Sequence, residues 1–595
     1  MIDIKKKNYY ILPIIAIILM VPLIVYCKID VLNYQTYLNW RGNKFEMDLF
    51  SYYKVLFTIQ MTFILGIIYL MSKKKRERLN NLKEYKWMFL YVICIITSFV
   101  LSNYKEVALF GFVYRYEGSI LLITYILLLY MTINLYDHEI DSKKIIYSIM
   151  IAYTIVAIVG ISQFFDSDIV TKNFMQRLII PNEQSQLIGT LKGSSKASQK
   201  VAGLIGNANY FAQYFVILAP LFIVIFIYSK DKKMKLLSGT MSILGASVII
   251  MSMSEAAMIL LSLILVAILL LNIKRLINRY GNKKIFLVTL IISLFFVYDF
   301  CSKGPVFKKI SFIVSKIEFE LNPVHDKKLL QYIKLNNNIA NIESKDKNMQ
   351  IIVKKDNIFV QYEDGENVNL TKEKVFSKDD IIIELKKHKY TNRDIIHIQI
   401  GNNIQFRMIV DSEKLKFIND ADKIIEQKEI KYIFGEGKEE FLTGRMYIWS
   451  RSIPKIMEKP LFGYGADTFE LVFPNYDYVG LYKTYNRNRI IVDKPHNMYI
   501  GIAMNTGIIA LIAFLLINLI YIKNTISILI KSKINNEIDI YRLGILFSII
   551  SYLIIGMMYD SNIVSTSIYY ILLGIGINLN YKEKYYEEEI ILKNK

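Results

Sequence analysis

Histidine is scarce in this chain, with five in 595 residues. One of them, His496, stands in "KPHNMYIGIAMNTG", where a long polar segment meets an apolar run. Upstream, "LTGRMYIWSRSIPKIMEKPLFGYGADTF" carries Arg445 and Arg451, and "FGFVYRYEGS" carries Arg115 beside Glu117. Arginine offers a planar fork of donors matched to phosphate oxygens. Histidine accepts a proton from an attacking hydroxyl near neutral pH. Glycosyl transfer from a lipid diphosphate asks for these two things: cationic stabilisation of the leaving diphosphate and a base beside the acceptor. The plainer alternatives stay open for each residue. An arginine near a membrane can snorkel to headgroups, and a histidine at a helix start can bond local backbone. Asp467 and Glu470 in "GYGADTFE" look like a solvated surface turn.

These residues must be held by membrane spans. Apolar residues make up 53% of the chain and come in long runs separated by short charged loops. Roughly 20 apolar residues cross a bilayer as a helix, and the runs lack the alternation of barrel strands. The pattern predicts spans at 11–27, 53–71, 87–102, 119–135, 145–164, 209–228, 236–253, 256–272, 285–300, 496–521, 543–558 and 565–579. The first follows Lys5-Lys6-Lys7 but no small-residue cleavage site comes after it, so it is expected to be retained. With the N-terminus cytoplasmic, the basic loops 73–78, 230–235, 273–284 and 522–533 fall inside. The loops "MSMSEAA" and "YDSN" fall outside and carry no Lys or Arg. The expected fold is an all-α polytopic membrane protein of about 12 transmembrane helices, located in the cytoplasmic membrane, with an extracytoplasmic insert containing a small β-rich domain.

Four regions follow: spans one to nine in 1–300, a β-rich insert at 301–434, a membrane-apposed loop at 435–495, and spans ten to twelve with a cytoplasmic tail in 496–595. Within the insert, "MQIIVKK", "NIFVQYEDGENVNL", "DIIIELKK", "DIIHIQIG" and "IQFRMIV" alternate apolar and polar residues between turn signals, as strands do. The net charge of +21 does not point to nucleic acid, because much of it lies in short loops between spans. Three cysteines lie in or at the ends of apolar runs without metal-ligand spacing. No P-loop, Rossmann glycine pattern or nucleophile elbow is present, and no cofactor or metal site is expected.

The stretch "GRMYIWSRSIPKIMEKPLFGYGADTF", followed by "KPHNMYIGIAMNTGIIALIAFL", resembles the O-antigen ligase and polymerase family. The shared features are Arg445, Trp449, the Pro460-to-Gly465 turn, and His496-Asn497 with Gly507 eleven positions after the histidine. "GFVYRYEGSILL" and "KVAGLIGNANYFAQY", with Asn207 and Asn209, resemble two further family stretches. The resemblance implies inverting, metal-independent glycan transfer on the outer face from an undecaprenyl-diphosphate-linked donor. The acceptor would be a glycan, lipid or protein. It makes His496 the catalytic base and places Arg445, Arg115, Arg451, Lys200, Asn207 and Asn209 at the substrate.

Two positions depart from the family pattern. Lys200 stands where members commonly carry Arg, and Glu255 follows Ser254 where an Arg is usual. Either Arg115 or Arg451 replaces that cation, or this member handles a different donor or is impaired. A polymerase joining lipid-linked repeat units is one alternative reading. A non-enzymatic exporter or sensor is another, weakened by spans nearly free of ionisable residues and by a short C-terminal tail. Gly501 and Gly507 are expected to let the final spans pack closely.

Overall fold

The structure is a computed structural model. It describes residues 10–39, 44–72, 82–190, 201–271 and 330–593, apart from 345–346, 356, 379, 426–428, 435–438, 533 and 535. Among the described residues, eight helices are long and apolar enough to cross a membrane: Tyr52–Met71, Lys83–Leu101, Asp141–Phe164, Ala208–Tyr228, Lys232–Met251, Ile508–Ser532, Glu537–Ile555 and Ile563–Tyr581. Ser119–Leu135 and Glu255–Leu271 are shorter apolar helices. Phe63, Leu70, Phe89 and Ile243 stand about 70% exposed on the outside of this bundle, the apolar surface a bilayer would cover.

The expected count of about twelve spans is not confirmed among the described residues. The 285–300 span lies outside the described residues. The 11–27 run forms a helix only over Leu12–Met20. Pro22 follows, which lacks an N–H and cannot continue the ladder. The chain then enters a two-stranded ribbon, β1 (Lys28–Val31) and β2 (Phe45–Asp48). Most consequential is 496–521, which is not one span. A short helix, Met498–Thr506, ends at Gly507, and the long helix begins at Ile508.

Gly507 makes that break. Its φ is +92°, a region that side-chain-bearing residues rarely adopt. A Cβ there would come within 2.0 Å of the Leu461 carbonyl oxygen. The Pro460-to-Gly465 turn clamps the break from outside. Ile508 N donates to Pro460 O at 2.7 Å, Tyr464 N to Met504 O at 3.0 Å, and Gly465 N to Asn505 O at 2.9 Å. The family-like glycine turn is thus the device that stops one helix and starts the next. Gly507→Ala is expected to destabilise the fold by more than about 1 kcal/mol. Thermal unfolding of the purified chain in detergent checks this; an unchanged midpoint would contradict it.

The helix Ile563–Tyr581 runs through the middle of the bundle, buried along the whole of its apolar stretch. Tyr569 on it stacks on Tyr552 with centroids 4.0 Å apart and donates to Asn518 Oδ1 at 2.8 Å. The loop Tyr559–Asn562 leads into this helix. Asn562 fixes that loop: its Oδ1 accepts from Ser565 N at 3.1 Å and its Nδ2 donates to Gln213 Oε1 at 2.8 Å.

The β-rich region holds two antiparallel meanders. The first runs β3 (Leu330–Asn336), β4 (Ile339–Ser344), β5 (Lys347–Lys354), β6 (Asn357–Tyr362) and β7 (Asn367–Asn369) in sequence order. The second runs β8 (Val375–Lys378), β9 (Ile381–Lys387), β10 (Asp394–Ile400), β11 (Ile404–Asp411), β12 (Lys414–Ile418) and β13 (Ile424–Ile425). Alternate residues such as Ile351, Val360, Ile383, Ile396, Ile398 and Met408 from both sheets meet in one apolar core, as period-two strands with one buried face must. Tyr482, from the helix Tyr478–Tyr485, joins that core. The β-rich region is thereby seated on the segment that leads to His496.

Candidate functional site

His496 sits at the mouth of the short helix Met498–Thr506. Its φ is +51°, an uncommon conformation for a residue with a side chain. Two neighbours hold it there. Asn497 caps the helix, its Oδ1 accepting from Tyr499 N at 3.0 Å and Ile500 N at 3.1 Å. Asn497 Nδ2 also donates to Met557 O at 3.1 Å, tying the cap to the 556–560 loop. Trp449, on the helix Arg445–Glu458, donates Nε1–H to the Pro495 carbonyl at 2.9 Å.

The imidazole then meets a carboxylate. His496 Nδ1 lies 3.1 Å from Asp560 Oδ2. The histidine side chain is 36% exposed and the aspartate side chain 9%. One face of the pair therefore looks outward while the carboxylate stays shielded. A carboxylate on one ring nitrogen fixes the ring's orientation and leaves the other nitrogen available, the arrangement of an oriented general base. Asp560 is not among the residues the sequence singles out, where "YDSN" reads only as an outside loop without Lys or Arg. An aspartate in a polar loop between two apolar runs was the available signal.

Arg445 reaches the loop that carries Asp560. Its Nε donates to Met558 O at 3.3 Å, and its Nη1 donates to Leu442 O at 3.1 Å and Thr443 Oγ1 at 2.8 Å. Among the described residues its partners are neutral oxygens; no carboxylate pairs with it. Arg451 differs. It is buried, with Nε 3.4 Å from Asp477 Oδ2, and it packs over the rings of Tyr447 and Tyr432.

Arg115 is also held by carboxylates. Its Nε donates to Asp467 Oδ1 at 2.6 Å, its Nη2 pairs with Glu470, and its Nη1 donates to Asp493 O at 2.8 Å. Asp467 Oδ2 in turn accepts from the backbone N–H of Phe112 and Glu117. The surface-turn expectation for Asp467 and Glu470 is overturned: they are 5% and 3% exposed and form the socket for Arg115. Tyr114, Tyr116 and Asp467 all adopt positive φ, at 74°, 53° and 56°. Such strained backbone persists where surrounding contacts over-determine it.

The upstream stretches converge on the same end of the bundle. Glu117 accepts from Ser561, next to Asp560. Lys494 Nζ lies 5.0 Å from the Tyr210 ring centroid, at the start of the helix Ala208–Tyr228. Asn207 is that helix's N-cap, its Oδ1 accepting from Asn209 N at 2.9 Å and Tyr210 N at 3.3 Å. Asn209 follows it in the first turn. Lys200 lies outside the described residues. Ser254 bonds Tyr559, which places the start of the helix Glu255–Leu271 against the same loop. A small cavity of about 70 Å³ is lined by Arg115, Glu117, Asp467, Asp493, Lys494 and Asp560, among others. Its lining includes neither His496 nor Arg445.

Five carboxylates here (Glu117, Asp467, Glu470, Asp493, Asp560) lie around Arg115 and Lys494. Burial pushes Glu117 up to about 7, against the opposing hydrogen bond from Ser561. Burial also raises Glu470, with Asp467 adding to the shift and Arg115 opposing it. For Asp493 burial acts the same way, but Lys494 and Arg115 outweigh it and hold the carboxylate low. Burial opposes the Lys494 charge, yet Tyr210, Asp493 and Asp560 keep its affinity for the proton above the usual lysine value.

The sign of the pH effect follows. Glu117 titrates higher in the folded chain than its ordinary 4.5, so the folded state keeps a proton the unfolded state releases. That contribution is complete below about 4.5 and is lost as pH rises through about 7. The thermal midpoint is therefore expected to fall between about pH 5 and 8, and Glu117→Gln to flatten that slope. A variant with the wild-type slope would contradict the assignment.

The fold and the site together define a multi-span helical membrane protein with an oriented histidine–carboxylate pair at one end of its bundle. Residues 404–515 match the family model for O-antigen ligase, which supports placing the chain with the O-antigen ligase and polymerase family. The match spans Arg445, Trp449, Arg451 and His496 but not Arg115, Asn207 or Asp560. No curated protein matches the chain.

Proposed function

We propose that the chain is an outer-face glycosyltransferase of the O-antigen ligase type. It moves a glycan from an undecaprenyl-diphosphate-linked donor to a hydroxyl acceptor, with inversion and without a metal. The observation that carries this is the His496–Asp560 pair, whose histidine, with Trp449 and Asn497 that hold it, lies within the family-matched stretch.

Asp560 accepts the Nδ1 proton of His496, which leaves Nε2 to take the proton of the acceptor hydroxyl. The acceptor oxygen attacks the anomeric carbon from the face opposite the diphosphate. The new C–O bond forms as the bond to the phosphate oxygen breaks, and the diphosphate leaves with the electron pair. Arg445, engaged only with neutral oxygens among the described residues, turns its fork to the diphosphate. Arg115 and Arg451 are already engaged by carboxylates. They position the loops around the donor. Asn207 positions through its helix cap. Arg445, rather than Arg115 or Arg451, then compensates for Glu255. The same chemistry serves a ligase or a polymerase, and the acceptor decides which.

The purified chain in liposomes, given an undecaprenyl-diphosphate glycan and a hydroxyl acceptor, tests this. Expected are glycosylated acceptor and one free lipid diphosphate per transfer, unchanged by a chelator. No release of lipid diphosphate, or dependence on an added divalent cation, would contradict it.

A further inference from the structure

A second, much larger cavity of about 1350 Å³ lies between the β-rich region and the segments on either side of the helix Tyr478–Tyr485. Small-molecule pockets are roughly 300–1,000 Å³, so this one has room for a polymer segment. One wall is the outer face of the second sheet, opposite its apolar core. Register places Glu384, His397, Arg407 and Ile418 in one cross-strand row, and Ile382, Gln399 and Gln405 in the next. The facing wall carries Phe473, Asn475 and Tyr476, followed by the irregular stretch Arg487–Ile491.

The two walls are clipped together. Asn488 exchanges two hydrogen bonds with the Gln405 backbone, both at 3.0 Å, and Arg489 pairs with Asp420 at 2.8 Å. The stretch then runs on to Asp493 and His496. Glu470 lines the groove and also pairs with Arg115, which lines the small cavity beside Asp560. The Arg115–Glu470 pair thus stands between one end of the groove and the small cavity beside Asp560.

Its chemistry is that of a sugar-binding surface. Six Lys or Arg side chains line it against three Asp or Glu. His397, Tyr476 and Arg487 line it with no side-chain hydrogen-bond or ion-pair partner among the described residues. Ring faces and amides suit the C–H faces and hydroxyls of pyranoses, and the cationic excess suits acidic groups on them. A peptide adding to a sheet needs a free strand edge, and here it is the sheet's face that lines the groove. We infer that this groove binds a segment of acidic glycan several sugars long and feeds it to His496. The inference rests on the proposed transferase activity for its purpose, but not for its measurement.

The test uses the full chain in detergent and two probes: an acidic hexasaccharide of alternating uronic acid and amino sugar, and a neutral glucan hexasaccharide. The acidic probe is expected to bind more tightly than the neutral one. The triple variant His397→Ala/Tyr476→Ala/Arg487→Ala is expected to weaken it at least tenfold, and His496→Ala to leave it unchanged. No binding of the acidic probe, equal binding of both probes, or equal binding to the triple variant overturns the inference. In the transfer assay the triple variant raises KM for the acceptor if the groove holds acceptor glycan, or for the donor if it holds donor glycan. Both KM values unchanged would overturn it too. If transfer survives His496→Ala while the groove result holds, only the catalytic reading falls.

Discussion

Arg115→Ala is expected to destabilise the fold by about 3–5 kcal/mol, the range for removing one partner of a buried charge cluster. The reason is what it leaves behind. Asp467 and Glu470 would keep their burial and lose the cation that holds them. Asp493 would lose the donor to its carbonyl as well as part of its charge balance. The strained turns at Tyr114 and Tyr116 would lose the tether that connects them to the 467–493 region. Arg115→Lys keeps the charge but loses the fork, which reaches three partners at once, so an intermediate loss is expected. Thermal or denaturant unfolding of the purified variants in detergent checks both. A loss below about 1 kcal/mol for Arg115→Ala, the range of exposed ion pairs, would show that the cluster is not built around this guanidinium.

His496→Ala is expected to act in the opposite sense, leaving the fold intact and removing activity. The imidazole is partly exposed, and among the described residues its one side-chain bond is to Asp560, so stability should change by about 1 kcal/mol or less. Transfer should fall by about 10²–10⁴-fold, the range for a positioned general base. The KM for donor should change little, because the diphosphate is assigned to Arg445 rather than to His496. Comparing the variant's unfolding midpoint and its rate in the same preparation separates the two effects. A variant that unfolds as easily as it loses activity would point to a structural histidine.

Much of the scaffold was legible because its signals are periodic. Long apolar runs gave seven of the spans nearly as they stand, and period-two alternation gave β5, β6, β9, β10 and β11. The break at Gly507 was not legible, since the hydropathy of "MNTGIIALI" is continuous across it. It is imposed by a carbonyl from the distant Leu461. The site was legible in part. His496, Arg445 and Trp449 came from the resemblance, whereas Asp560 is 64 residues from its partner in a four-residue loop. Asp467 and Glu470 looked solvated because their cation, Arg115, lies about 350 positions earlier in the chain. Local pattern reports which residues are polar. Which of them meet is decided by packing between loops that share one end of the bundle.

The most direct test of the central claim is a double-mutant cycle on the transfer rate, using His496→Ala, Asp560→Asn and the two together. If Asp560 acts by orienting His496, the double variant should be no slower than His496→Ala alone. Losses that multiply, or a His496→Ala variant as fast as the wild type, would contradict the pair.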